Sequence, residues 1–135
     1  PYSAANLGVA VAAHRMAIEH SKQRETFGEL LSQRQAIQWM LADAEVEMRA
    51  TRWLIWDGAW KADRGEDARV EASIAKLYSS EMLSRVIDNA VQIYGGYGVS
   101  KEFPLERWYR EARVRRIGEG PSEVHRMVIA RALLR

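Results

Sequence analysis

A chain of 135 residues with no Cys can close one hydrophobic core, but it has neither disulfides, thiolate metal sites nor thiol catalysis at its disposal. Its 20 Lys and Arg are interleaved with 18 Asp and Glu for a net charge of +2, which excludes the one-signed field of a nucleic-acid binder. No apolar run approaches the roughly 18 residues that would span a bilayer, and 47% hydrophobic with 28% charged residues is the balance of one soluble globular domain covering residues 1–135.

The chain opens on Pro1-Tyr2-Ser3, without an initiator Met or the regions of a signal peptide, and reads as a piece of a longer protein. From Ala4 to about Glu25, Leu7, Val11, His14 and Ile18 fall at helical spacing among Ala-rich neighbours, and Thr26-Phe27-Gly28 ends that helix. With Ser32 as candidate N-cap, Ile37, Met40, Leu41, Ala44, Met48, Ile55 and Ala59 predict a second helix reaching about Asp63. The polar stretch Asp63-Arg64-Gly65-Glu66-Asp67 interrupts the pattern, which Ala75, Tyr78, Met82, Val86, Ala90 and Ile93 resume on a third helix. The paired Gly95 and Gly96 stop it.

A short helix then runs from Pro104 through Leu105 and Trp108 to about Glu111. A last one runs from Pro121 through Val124, Met127, Val128 and Ala132. No segment shows sustained β alternation, and only three Pro occur. The expectation is therefore all-α: an antiparallel, up-and-down four-helix bundle with a short extra helix.

Trp39, Trp53, Trp56 and Trp60 lie on the second helix, the last three spaced to share a face. Such a stripe predicts packing in the core or at a helix interface. Arg107 to Arg116 carries five Arg with Glu106 and Glu111 nearby, the pattern of a helix surface or subunit contact.

Chemistry has few candidates. His14, His20 and His125 lack the partners of a metal motif, no Gly-x-Ser-x-Gly elbow exists, and Gly95-Gly96-Tyr97-Gly98 follows a helix rather than a strand. Glu119 stands out, because Gly118 and Gly120 flank it just before a Pro-initiated helix and nothing bulky shields its carboxylate. A helix N-terminus favours the ionised form and burial against an apolar ligand disfavours it, which is the tension that tunes a general base. Taken alone, a Glu there is more often a helix-start residue that compensates the dipole.

The motifs in order resemble the C-terminal domain of the acyl-CoA dehydrogenases. Arg24-Glu25-Thr26-Phe27-Gly28 followed by Gln35 resembles the family's Arg-x-x-Phe-Gly segment with its downstream Gln, and Leu41-Ala42-Asp43 continues the helix expected there. Gln92-Ile93-Tyr94-Gly95-Gly96-Tyr97-Gly98 resembles its Gln-x-x-Gly-Gly-x-Gly turn, with Arg107, Arg110 and Arg113 suiting the segment that follows. Arg116 to Glu123 occupies the place of its catalytic-Glu loop.

The resemblance implies a flavoenzyme whose cleft lies between this domain, an N-terminal helical domain and a middle β-domain, in a homodimer or homotetramer. It implies FAD, with Arg24, Phe27, Gln35, Gln92, Gly95 and Gly96 near the adenine and pyrophosphate of a flavin held by a neighbouring subunit. It further implies an acyl-CoA substrate, an electron-acceptor flavoprotein as partner, and the bacterial cytoplasm or mitochondrial matrix as compartment. Glu119 would remove the α-proton while the β-hydrogen leaves as hydride, and its backbone N–H would help polarise the thioester carbonyl.

The pattern departs from the family at two positions. Gly118 stands where Tyr is frequent, which opens room for a wider or branched acyl chain beside Gly118 and Gly120. Pro121 stands where Thr is frequent, leaving Ser122 as the nearest hydroxyl for the cofactor. Three readings stay open beside this one: a base on the first helix upstream of Pro1, a non-catalytic helical binding or oligomerisation module, and a family acyl-CoA oxidase.

Overall fold

Small residues recurring every three or four positions decide how the helices approach one another. In the computed structural model, which describes residues 1–135, α1 (Tyr2–Gln23) buries Ala10, Ala13, Ala17 and Ser21 along one face. A ridge of such low relief lets a neighbouring axis come close. That neighbour is α3 (Arg69–Tyr94), the most buried helix, with Ser79, Met82, Leu83, Val86, Ile87, Ala90 and Ile93 inside. Buried Asn6 donates to Ser79 Oγ at 3.2 Å, and Tyr94 Oη donates to the Met16 carbonyl at 3.3 Å, so the polar atoms on this seam are paired.

α2 (Gln35–Asp63) folds back along the same pair but buries only Ala44, Met48 and Thr51. Its turn to α3 is fastened by the Lys61–Glu71 ion pair, and its middle by Arg85 Nε to Glu47 at 2.9 Å. α4 (Leu105–Arg115) and α5 (Ser122–Leu133) close the other side of α3. The architecture is the expected all-α bundle, three long helices (α1, α2 and α3) completed by the shorter α4 and α5.

Four local expectations need correcting. The first helix stops at Gln23, because Glu25–Thr26 (β1) pairs with Glu29–Leu30 (β2) in a two-stranded antiparallel hairpin that no alternation announced. Its tip, Phe27 and Gly28, has φ of 52° and 77°, the left-handed pair that a tight hairpin turn requires. Ser32 does not cap α2, since it lies in a 3₁₀ turn (Leu31–Gln33) and Arg34 occupies the cap position with no side-chain bond. The Arg34 side chain reaches back to Thr26 Oγ1 at 3.2 Å instead, tying hairpin to helix.

The short helix runs on to Arg115, helped by Arg110–Glu106 at 3.0 Å and Arg107–Glu111 at 3.7 Å, both i,i+4 pairs. The tryptophans do not pack the core: Trp53 is 67% exposed, and Trp39, Trp56 and Trp60 are exposed with it. Helical spacing puts side chains on one face, and it does not say that the face turns inward.

Candidate functional site

The Glu119 loop begins where α4 runs out of helical partners. Ile117 N–H and Gly118 N–H both donate to the Val114 carbonyl at 2.9 Å, and the chain then reverses through Gly118, Glu119 and Gly120 into Pro121. Glu119 has φ of 55° and Gly120 of 89°. Left-handed backbone costs a non-Gly residue of order 1 kcal/mol and persists where its surroundings hold it.

The holding groups come from two helices. Lys76 of α3, only 5% exposed, donates from Nζ to the Gly120 carbonyl at 2.5 Å, and His125 of α5 lies with Nε2 3.1 Å from the Glu119 carbonyl. A carbonyl only accepts, so Nε2–H is the donor in this contact, while Nδ1 is buried and unpaired. Burial pushes the Lys76 ammonium below its ordinary value, and the Glu119 and Glu123 carboxylates partly restore it. Ser122 N–H donates to the Arg116 carbonyl at 3.2 Å, closing the loop.

The Glu119 side chain itself is exposed, and neither its carboxylate nor its backbone N–H is bonded within the chain. Beside it opens a cavity of about 440 Å³ lined by Tyr2, Ile55, Ala59, Ala75, Lys76 and His125 along with Glu119. Gly118 faces Tyr2, whose hydroxyl would sit 3.2 Å from any Cβ placed there, so the room left by this glycine is walled by Tyr2. Two cations lie over the Tyr2 ring, Arg115 at 5.0 Å and Lys76 at 5.9 Å from its centroid. Ser122 is 2% exposed and its hydroxyl is sealed inside the chain without a partner, rather than displayed to a ligand.

A second cavity, of about 590 Å³, lies at the other end of α1 and α3 and gathers Arg24, Gln92, Gly95 and Gly96 with His20 and Tyr97. The side chains of Arg24 and Gln92 are exposed and unpaired, and Gly95 holds φ of 60°, ψ of −133°, a conformation essentially reserved for glycine. Planar guanidinium donors beside open glycines fit the pyrophosphate of a dinucleotide. Phe27 and Gln35 do not line this cavity. Phe27 stands 97% exposed at the hairpin tip with Arg34 over its ring at 5.8 Å, and Gln35 is exposed at the start of α2.

Three site residues escaped the sequence reading. His20, one turn before Arg24, stacks on Tyr94 at 4.1 Å, and burial first, then Arg24, lowers its pKa. Lys76 interrupts an otherwise small or apolar stripe on α3, a signal that could have been noticed. His125 sits one turn inside α5 from Pro121, where nothing in the sequence marks it. From Tyr2 to Gln23, α1 has 22 residues, so the two cavities are roughly 30 Å apart at about 1.5 Å per residue.

Comparison with known proteins reaches the whole chain. A family model described as acyl-CoA dehydrogenase, C-terminal domain, matches residues 2–134. The structure of butyryl-CoA dehydrogenase from Megasphaera elsdenii superposes with a TM-score of 0.96 at 44% identity, covering 99% of this chain and 35% of that one. Subunit CarC of the caffeyl-CoA reductase-Etf complex of Acetobacterium woodii is 42% identical over 130 residues, 96% of this chain and 34% of the relative. The FAD complex of PigA superposes with a TM-score of 0.93 at 27% identity, covering 97% of this chain and 34% of that one. The chain spans about a third of the length of the curated relatives it matches.

Proposed function

The chain belongs to the acyl-CoA dehydrogenase family, whose C-terminal domain it forms, and from that premise we propose that it supplies the base for α,β-dehydrogenation of an acyl-CoA thioester. The observation carrying this reading is the Glu119 loop: an unpaired carboxylate and an unpaired backbone N–H on a turn whose carbonyls are tied back by Lys76 and His125. A carboxylate oxygen of Glu119 takes the α-proton, the C–H electron pair becomes the new double bond, and the β-hydrogen departs as hydride. The Glu119 N–H is available to polarise the thioester carbonyl, which acidifies that α-carbon. FAD, when bound, supplies the hydride-acceptor chemistry. Closing the cleft over Glu119 excludes water and strengthens both interactions.

The same groups serve the reverse direction, with Glu119 starting as the acid, as the name of the reductase relative invites.

Arg24, Gln92, Gly95 and Gly96 fit the phosphates of FAD, with Phe27 and Gln35 at the margin of the same end. The roughly 30 Å between that end and Glu119 is longer than one extended dinucleotide, which supports a homo-oligomer, dimer or tetramer, in which each flavin takes Glu119 from one copy and Arg24 from another. A relative that works in a complex with Etf supports an electron-transferring flavoprotein as the redox partner. Bacterial relatives support the bacterial cytoplasm over the mitochondrial matrix.

The test is anaerobic bleaching of the flavin in the full-length protein by a panel of acyl-CoAs, wild type against Glu119→Gln. The Gln variant should keep its flavin and bleach about 10² to 10⁴-fold more slowly, the usual worth of a general base. A full-length protein that binds no flavin would contradict the reading, and so would a Gln variant that bleaches at the wild-type rate.

A further inference from the structure

The left-handed turn at Glu119 needs a cause. Two consecutive carbonyls, those of Glu119 and Gly120, are each held by a side chain from a different helix: His125 Nε2–H on the first at 3.1 Å and Lys76 Nζ on the second at 2.5 Å. The neutral, expected use of a buried Lys is an ion pair, yet Lys76 has no carboxylate within salt-bridge distance and spends its donor on a backbone oxygen. The ring of His125 lies so close that a Cβ on Gly120 would come within 2.9 Å of Nε2, so the glycine is there to admit it.

We propose that Lys76 and His125 are positioning residues for the reaction, a two-point clamp that fixes the peptide planes after Glu119 and so aims its carboxylate. The assignment rests on Glu119 being the base, as argued above. A peptide is planar and trans, so anchoring the Glu119 carbonyl toward α5 turns the Gly120 N–H the opposite way and fixes the Cα–Cβ direction of Glu119. Releasing either anchor lets Glu119 relax toward the right-handed or extended backbone that side chains prefer, swinging the carboxylate away. A displacement of about 1 Å at a reacting group costs on the order of 10²-fold in rate. The cost falls on the rate at saturating substrate, because the groups that react are the ones displaced.

The clamp uses donors, and that makes it separable from packing. At position 125, Gln offers a carboxamide N–H to the same carbonyl, whereas Leu fills similar space with none. At position 76, Met keeps the length of the side chain and loses the donor.

The experiment uses the flavin-loaded full-length protein, with flavin content per chain, thermal midpoint, affinity for a non-reducible acyl-CoA thioether, and the maximal rate of anaerobic flavin reduction measured for each variant. His125→Leu and Lys76→Met should each reduce about 10 to 100-fold more slowly at saturating substrate, with flavin content and thioether affinity unchanged, and His125→Gln should return to within about threefold of wild type. Wild-type rates in both His125→Leu and Lys76→Met would overturn the clamp, as would equal losses in His125→Leu and His125→Gln, or losses that merely track flavin content. Because the two positions are read separately, poor folding of one variant leaves the other to decide. Glu119→Gln is the control for the underlying reading: if it reduces as fast as wild type, the base assignment falls and the clamp with it. If it is slow while both clamp variants are fast, only the clamp falls.

Discussion

The Glu119 loop and the Arg24 cavity sit at opposite ends of the same two helices, and they are built to different degrees of completion. At the Glu119 end, α3 and α5 each send a side chain to grip a backbone carbonyl, and the turn is fixed from within one chain. At the Arg24 end, Arg24 and Gln92 point to solvent unpaired, and Phe27 stands almost fully exposed on a hairpin of two-residue strands. One end is a turn whose carbonyls are held by side chains of the same chain. The other pairs a glycine turn with exposed side chains that make no bond within the chain.

The sharpest way to break that contrast lies in the glycine turn. A Cβ on Gly98 would fall 2.5 Å from the Val91 carbonyl oxygen and 2.9 Å from its Cα, both backbone atoms that cannot step aside. Gly98→Ala should therefore destabilise the fold by about 3 kcal/mol, seen as a large drop in the thermal midpoint. Gly96 has nothing within 4 Å of the same position, so Gly96→Ala should stay within about 1 kcal/mol of wild type while weakening flavin retention. Equal thermal midpoints for the two variants would mean that the turn is not divided into a packing glycine and a ligand-facing one.

A smaller effect separates the ends by pH. Burial lowers the pKa of both His14 and His20, with Arg24 adding to the shift at His20 and Glu45, 3.8 Å away, opposing it at His14. The unfolded chain then binds protons at a higher pH than the folded one, so stability is full above about pH 6.5 and falls as the pH drops through that value toward the depressed folded ones. Chemical denaturation between pH 7.5 and 5.5 should show this loss, and His20→Gln should remove part of it. If the pyrophosphate binds beside Arg24 as proposed, its negative charge offsets the repulsion on a cationic His20, and the flavin-loaded protein should lose less than the flavin-free one. An identical pH profile in the two forms would place the phosphates elsewhere.

The helices were legible because their breaks are: Gly95 and Gly96 end α3 where expected, and the Asp63 to Asp67 stretch separates α2 from α3. The hairpin was not, since two-residue strands are too short for alternation to register. Ser32 misled because capping preference ignores competition, and Arg34, reaching back to Thr26, sets where α2 begins. The tryptophan face was seen correctly as one face and wrongly as an inward one when this chain is taken alone. Glu119 could be picked out from its two glycines and its ordered companions. Lys76 and His125 could not, because they act on backbone carbonyls, and no side-chain motif records which carbonyl a distant residue will meet.

We propose that the two ends serve different flavins, one chain giving Glu119 and another giving Arg24. Co-expressing full-length Arg24→Ala and Glu119→Gln subunits tests it directly. Washed of loosely held flavin, each parent alone should show little acyl-CoA-dependent bleaching, Arg24→Ala because it loses flavin and Glu119→Gln because it lacks the base. If sites are shared between chains, random pairing gives about one intact site in four, and the co-expressed population as a whole should recover bleaching in that proportion. Mixed oligomers that bleach no better than either parent would contradict it, and would put Glu119 and Arg24 to work within a single chain.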